Sequence, residues 1–223
     1  MSISLDQALP EKRATRRAFD RAAGFDAACF IHDTARERLL ERLDLVELHP
    51  RTIVDLGCAT GRGAEALAAR YAGARVLGID SSAAMTQATA ARLGDRASVV
   101  RADAERLPLA SHSVDLLFAN LVLPWCRPDV VFGEAARVLS DGGVLLFATV
   151  GPESLAEIRR AFAGVDRGIH VHAAFDLHDL GDLATRAGLA EPVLDVDRLA
   201  VTYAEPASLW RDLKAVEIGR AHV

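Results

Sequence analysis

The sequence predicts an α/β fold built on a doubly wound, mostly parallel sheet. Short apolar runs without alternating polarity recur along the middle of the chain, and each is followed by a segment of helical periodicity. Strands that are apolar on both faces belong to a parallel sheet covered by helices on both sides. Small residues follow the first run, at the end of a strand where open α/β sheets bind their ligands.

The first half of the chain opens with a long helix. Its leucines have helical spacing, and Pro50 follows its end. The apolar run that comes next leads directly into glycines, which predicts a buried strand. Either Ser81 or Ser82 is a suitable N-cap for the third helix. The helices predicted here are 16–43, 63–71 and 82–93, and the strands are 52–56, 75–79 and 98–101.

The second half continues the alternation and then becomes less regular. Asp141-Gly142-Gly143 is expected to stop one helix, Pro152 to begin the next, and Gly188 to end the third. The segment 193–203 predicts one long strand or two short ones. The helices predicted here are 129–139, 152–163, 176–187 and 206–217, and the other strands are 114–119 and 144–150.

Composition and charge exclude several classes of protein. The 223 residues are 51% hydrophobic and 26% charged, which is typical of one globular domain. No apolar run approaches the roughly 18 residues of a membrane-spanning helix. The formal charge of −5 without a basic stripe argues against nucleic acid as a partner. Three scattered cysteines without a CxxC pair predict neither a disulfide framework nor a zinc site, and they fit a reducing cytoplasm.

The segment after the first strand predicts a ligand-binding turn. It reads I-V-D-L-G-C-A-T-G over residues 53–61, so small residues allow backbone amides to approach a ligand closely. Ala59 and Arg62 break the dinucleotide pattern G-x-G-x-x-G. A generic strand-to-helix turn is the alternative. The candidate binding residues of this turn are Asp55, Gly57, Cys58, Ala59 and Gly61.

The ends of the next strands carry polar candidates. Asp80 lies 23 residues after Gly57, the spacing at which an acid accepts hydrogen bonds from ribose hydroxyls. Its alternative role is to cap the following helix, and Ser81 comes directly after it. Asn120 is a polar residue in an apolar run, where it is either a ligand contact or a satisfied core amide.

The order and the spacing of these motifs resemble those of the class I S-adenosylmethionine-dependent methyltransferases over residues 51–150. The resemblance implies S-adenosyl-L-methionine as cofactor and S-adenosyl-L-homocysteine as product, on a Rossmann-like sheet. It implies that Asp103 and Ala104 lie beside the adenine, and that Asn120 and Leu121 lie at the methionine end. Ala59 departs from the family pattern D-x-G-x-G-x-G.

The flanking segments are similar to the malonyl-acyl-carrier-protein O-methyltransferases of biotin synthesis. The similarity rests on R-A-F-D-R-A-A at 17–23, on N-L-x-x-x-W from Asn120 to Trp125, and on F-A-T-V-G-P-E-S-L at 147–155. Phe25-Asp26 stands where that family usually has Tyr-Asp. The resemblance implies methylation of the free carboxyl group of a malonyl thioester. Because a carboxylate is ionised at neutral pH, we expect no catalytic general base.

The residues that bind the substrate are open at this stage. His170, Arg127 or Lys214 would orient the malonyl carboxylate, while Trp125 and Phe175 would line an acyl channel or only pack in the core. Phe25 lacks the hydroxyl that a tyrosine would offer. His170-x-His172 has no evident third ligand, so no metal is expected. A basic face for the acidic carrier protein would come from Arg159, Arg160 and Arg167, or from Arg13, Arg16 and Arg17.

Three segments of one domain are expected: a helical segment 1–50, a cofactor-binding core 51–150 and a substrate-side segment 151–223. We expect a cytoplasmic monomer that binds neither membranes nor nucleic acid. Residues 218–223 resemble a translated sequencing adapter, which predicts a sheet without its final strand.

Three alternative functions remain open. The C-terminal half also resembles a respiratory complex I assembly factor associated with arginine hydroxylation. A second alternative is a non-catalytic domain that only binds the cofactor. The third is a small-molecule methyltransferase of another pathway, because the superfamily shares the cofactor motifs.

Overall fold

A parallel five-stranded sheet with the order β3-β2-β1-β4-β5 forms the centre of the structure, a computed structural model that describes residues 9–22, 24–165, 171 and 174–216. Every neighbouring pair of strands is parallel. The predicted fold class is therefore confirmed. The strands are β1 Thr52–Leu56, β2 Arg75–Asp80, β3 Ser98–Arg101, β4 Val114–Asn120 and β5 Leu139–Ala148.

Helices cover both faces of this sheet, as the apolar strands require. None of the helices in the described part of the chain is long and apolar enough to cross a membrane. The α-helices are α1 Lys12–Phe19, α2 Phe25–Ala28, α3 Phe30–Arg42, α4 Arg62–Arg70, α5 Ala83–Leu93, α6 Pro128–Val138, α7 Ala156–Phe162, α8 Leu177–Arg186 and α9 Pro206–Ala215.

Two apolar clusters lie on opposite faces of the sheet. Ile53 and Phe118 belong to the cluster formed with α3, α4 and α5. Their chain neighbours Val54 and Leu117 point to the other face and pack with Phe132 of α6 and residues of α8. All of these side chains are fully buried. Burial on both faces explains why the strands show no alternation of polarity.

The N-terminal helix predicted over 16–43 is divided into α1, α2 and α3. Asp20 is the C-cap of α1, and Gly24 is the N-cap of α2. Phe25 and Met85 share a buried cluster with other residues of α2 and with Val216. The interruption therefore turns the chain so that α2 packs beside α5 and the end of α9.

The glycine pair expected to end a helix lies instead within β5. This strand begins at Leu139, and its register against β4 shifts between Val114 and Leu116. Gly142 has a left-handed φ of +76°, and a Cβ atom on Gly143 would lie 2.9 Å from the Ser140 carbonyl oxygen. Glycine is thus required by a β-bulge at this point.

The strands predicted over 193–203 are wrong. Residues 192–203 have no regular secondary structure, and Val193 remains 92% exposed. Ion pairs hold the segment against α3, with Arg38 to Asp197 at 2.9 Å and Arg42 to Asp195 at 2.6 Å. Without a partner strand in the described part of the chain, β propensity alone does not form a strand.

Candidate cofactor and acceptor site

The turn between β1 and α4 brings backbone amides to the carboxyl end of the sheet. Gly57 and Cys58 donate their N–H groups to the Ile79 carbonyl oxygen at 2.8 and 3.1 Å, which ties the turn to β2. Gly57 has a φ of +69°, and a Cβ atom there would lie 2.6 Å from a methyl carbon of Val122. Only glycine fits this position.

Asp80 fixes the same turn from the end of β2. Its carboxylate accepts the Ala59 N–H at 3.1 Å and the Ser82 N–H at 2.8 Å. Burial raises the pKa of Asp80 above its ordinary value. A carboxylate offers about four acceptor positions, so Asp80 keeps capacity for a ligand hydroxyl.

Three residues predicted in the binding turn, Asp55, Cys58 and Gly61, pack against neighbouring helices. Asp55 is 2% exposed, and its Oδ2 atom would lie 2.6 Å from a Cβ on Gly63. The Cys58 sulfur lies 3.5 Å from the Thr89 hydroxyl, and a Cβ on Gly61 would meet a methyl carbon of Thr89 at 2.9 Å. Their side-chain positions thus face α4 and α5.

A cavity of about 350 Å³ opens at this end of the sheet. The carboxyl ends of β1, β2, β3 and β4 form its floor, and residues of α1, α2 and α3 close it from above. The residues predicted from sequence that line it are Phe25, Gly57, Ala59, Asp80, Ser81, Asp103, Ala104, Asn120, Leu121 and Trp125.

One end of the cavity carries charged groups. Lys12 of α1 forms ion pairs with Asp103 and Glu105, both at 2.7 Å. Burial works against the charge of Lys12, yet the hydrogen bonds to both acids raise its pKa. Asp103 also accepts the backbone N–H of Glu105 at 3.0 Å. The acid predicted beside the adenine therefore already binds a lysine that the sequence did not connect to it.

Aromatic residues form the other end. The rings of Phe19 and Trp125 meet edge to face at 5.4 Å, and those of Phe25 and His32 do so at 5.0 Å. Asn120 donates its side-chain N–H to the His32 carbonyl oxygen at 2.9 Å. Sequence reasoning missed Phe19 and His32 as site residues because helical periodicity does not show which surface a helix covers.

The other predicted substrate residues lie elsewhere among the described residues. Arg127 pairs with Asp129 at 2.9 Å and donates its backbone N–H to Glu105. Phe175 packs against the apolar cluster of α6 and α8. Lys214 is exposed on α9. These three do not line the cavity, and His170, like His172, lies outside the described residues.

Comparison with known proteins identifies the family. Residues 54–147 match the family model described as a methyltransferase domain. The malonyl-[acyl-carrier protein] O-methyltransferase of Methylovorus sp. (strain MP688) is 43% identical over 224 residues, which cover 96% of this chain and 76% of that protein. The chain belongs to the malonyl-[acyl-carrier protein] O-methyltransferase family. A second family member, from Laribacter hongkongensis (strain HLHK9), is 43% identical and is covered over 73% of its length.

Solved structures support the same class. The putative methyltransferase in a complex with the Haloferax volcanii Trm112 activator has a TM-score of 0.63 and 25% identity, with coverage of 78% of this chain and 75% of that one. Geranyl diphosphate C-methyltransferase from Streptomyces coelicolor has a TM-score of 0.55 and 18% identity over 67% of this chain and 56% of its own, and it shows the fold alone.

Membership of this family confirms the predictions of a methyltransferase and of S-adenosyl-L-methionine as its cofactor. The assembly-factor alternative is not favoured, because the relatives that cover nearly the whole chain are O-methyltransferases.

Proposed function

We propose that this chain transfers a methyl group from S-adenosyl-L-methionine to the free carboxylate of malonyl-acyl-carrier protein, as a step of biotin synthesis. The observation that carries the proposal is the 43% identity to a methyltransferase of that name over 96% of the chain. The cavity supports it, since one cavity is lined both by charged groups and by aromatic residues. An ionised carboxylate is its own nucleophile and needs no base.

The residues present fit the cofactor. The cavity of about 350 Å³ lies within the range of roughly 300–1,000 Å³ that small ligands occupy. In the proposed binding mode Asp80 accepts the ribose hydroxyls, and Gly57 and Ala59 bring backbone close to the ligand. Ser81, Asp103 and Ala104 lie at the adenine end, and Asn120 and Leu121 lie at the methionine end.

The aromatic end is the proposed acceptor side. The bound cofactor supplies a methyl group on a cationic sulfur. Phe19, Phe25 and Trp125 exclude water there and hold the acceptor carboxylate in line with the methyl group and the sulfur. The rate of such a displacement depends on this alignment. Phe25 contributes shape and an apolar surface, since it has no hydroxyl.

The remaining predictions belong to this proposal. The segment 1–50 covers the cofactor core 51–150, and 151–223 lies on the substrate side of the same domain. The enzyme acts as a cytoplasmic monomer whose macromolecular partner is the carrier protein, without nucleic acid or membrane. Arg13 and Arg17 are exposed on α1, and Arg160 is exposed on α7, so either helix can present a basic face.

Intact mass of the carrier protein tests the proposal. The enzyme is incubated with S-adenosyl-L-methionine and malonyl-carrier protein, with acetyl-carrier protein as the control. We expect a gain of one methyl group on the malonyl form alone. If the enzyme binds S-adenosyl-L-homocysteine but leaves malonyl-carrier protein unmodified, the proposed acceptor is wrong.

A further inference from the structure

Two buried polar atoms at the aromatic end of the cavity have no hydrogen-bond partner. They are Nδ1 of His32 and Oδ1 of Asn120, and both residues line the cavity. The two residues are joined, because the Asn120 amide donates to the His32 carbonyl oxygen at 2.9 Å. Buried polar groups in folded proteins are normally paired. A joined pair of unpaired groups at a cavity wall therefore indicates a ligand.

The state of each group limits what it can bind. The Asn120 amide nitrogen is engaged as a donor, so Oδ1 is an acceptor and requires a ligand N–H or O–H. Burial lowers the pKa of His32 to about 4. At neutral pH its ring thus carries one N–H donor and one lone pair. The Phe25 ring, itself 4% exposed, packs edge to face on the imidazole and fixes its plane.

Other cations that line the cavity are engaged or exposed. Lys12 binds Asp103 and Glu105, and Arg101 donates to the Ser81 carbonyl oxygen at 3.0 Å. Arg16 is exposed on α1. In the described part of the chain no group of His, Cys, Asp and Glu residues could hold a metal ion, so His32 is not part of a metal site there.

We infer that His32 binds a carboxylate through its ring N–H at the junction of α3 and β4. This inference rests on the proposed function. In that reaction two carboxylates come to the aromatic end of the cavity: the one on the methionine portion of the cofactor and the one on the malonyl group. Asn120 Oδ1 beside it suits the methionine ammonium group. His32 is then a residue that holds a reactant in place, and it transfers no proton.

Equilibrium binding distinguishes the two sources. S-adenosyl-L-homocysteine carries the amino-acid portion, whereas 5′-methylthioadenosine has the adenosine and sulfur without it. The variants are His32→Leu, which removes the donor, and His32→Gln, which keeps an N–H. His178→Leu, at an exposed histidine of α8, is the matched control. Calorimetry gives the Kd of each nucleoside, and steady-state kinetics gives the KM for malonyl-carrier protein.

If His32 binds the cofactor carboxylate, His32→Leu raises the Kd for S-adenosyl-L-homocysteine about tenfold and leaves that for 5′-methylthioadenosine unchanged. If it binds the acceptor, the KM for malonyl-carrier protein rises about tenfold while both Kd values stay constant. His32→Gln restores most of either loss, and His178→Leu changes nothing.

Two results overturn the inference. One is a His32→Leu variant with all three constants unchanged, and the other is an equal loss for both nucleosides, which indicates a packing role only. Failure of the proposed function is separate, because wild-type enzyme that binds S-adenosyl-L-homocysteine without methylating malonyl-carrier protein still allows the nucleoside comparison.

Discussion

Ala59 holds a left-handed backbone conformation, with φ at +47°, in the turn that borders the cavity. A side chain in this region costs about 1–2 kcal/mol, whereas the added freedom of glycine in the unfolded chain costs less than about 1 kcal/mol. We expect Ala59→Gly to raise the free energy of unfolding by about 1 kcal/mol. Urea denaturation of both proteins measures this difference.

A helical alanine provides the control for that substitution. Ala90 is exposed within α5, where glycine costs about 1 kcal/mol. Ala90→Gly should therefore destabilise the protein. If Ala59→Gly destabilises it as much as Ala90→Gly does, the left-handed strain at Ala59 is not real.

Asp55 gives the protein a stability that depends on pH. Burial raises the pKa of this carboxyl group from 3.8 to about 7. Between these values the folded chain holds a proton that the unfolded chain has released, so the free energy of unfolding falls as pH rises. Asp55→Asn removes this titration. Relative to the parent, the variant should gain stability between about pH 4 and pH 7 and show a constant difference above pH 7.

Chemical denaturation at several pH values follows that difference directly. Groups that titrate in both proteins cancel when the two curves are subtracted. Parallel stability curves for the parent and Asp55→Asn across the acidic range would show that Asp55 is ionised in the folded state.

At the scale of elements, Asp20 joins α1 to the start of α5. Its Oδ1 atom accepts the Ser82 hydroxyl at 2.6 Å and the Ala83 N–H at 2.9 Å. The hydrogen bond from Ser82 lowers the pKa of Asp20. Because helix caps of this kind contribute about 0.5–2 kcal/mol, we expect Asp20→Ala to lower the free energy of unfolding by about 1 kcal/mol.

The same substitution should loosen the helix that covers the cavity. We expect S-adenosyl-L-homocysteine to dissociate faster from Asp20→Ala than from the parent, as measured by stopped-flow fluorescence. Asp95→Ala, at an exposed residue, is the control and should lie within about 0.5 kcal/mol of the parent. An unchanged dissociation rate in Asp20→Ala would mean that α1 does not retain the ligand.

The sheet was predictable because its strands carry their own evidence. The runs that became β1 and β4 are apolar on both faces, and this pattern predicts strands in the interior of a sheet. The segment 193–203 has equally apolar residues but remains without regular structure. A strand depends on a partner as well as on its own residues, and the sequence of one segment does not identify that partner.

At the scale of the whole molecule, the candidate site was predictable only in part, because some of its contacts join residues that are far apart in the chain. The strand ends placed Asp80 and Asn120 at one cavity, because carboxyl ends of parallel strands lie together. Lys12 reaches Asp103 across 91 positions of the chain, and no local pattern encodes such a contact. Asp55 belongs to the motif at the end of β1 but does not line the cavity, because its Oδ2 atom lies against Gly63 of α4. The motif alone does not show which way a side chain points.

Charge at the scale of the whole molecule bears on the recognition of the carrier protein. The formal net charge is −5, so an acidic partner must meet a local basic surface. Arg13 and Arg17 are exposed on α1, the helix whose Thr15 and Arg16 line the cavity. Replacing both with glutamate should raise the KM for malonyl-carrier protein about tenfold and leave the Kd for S-adenosyl-L-homocysteine unchanged.

Salt and a second surface complete this test. Raising the ionic strength should increase the KM of the parent enzyme for malonyl-carrier protein, because salt screens exposed charges. The KM of the double variant should change less. Arg160→Glu changes the other candidate face on α7 and is expected to leave the KM unchanged. If Arg160→Glu raises the KM while the α1 variant does not, the carrier protein docks at α7. Such a result would separate the docking surface from the helix that covers the cofactor cavity.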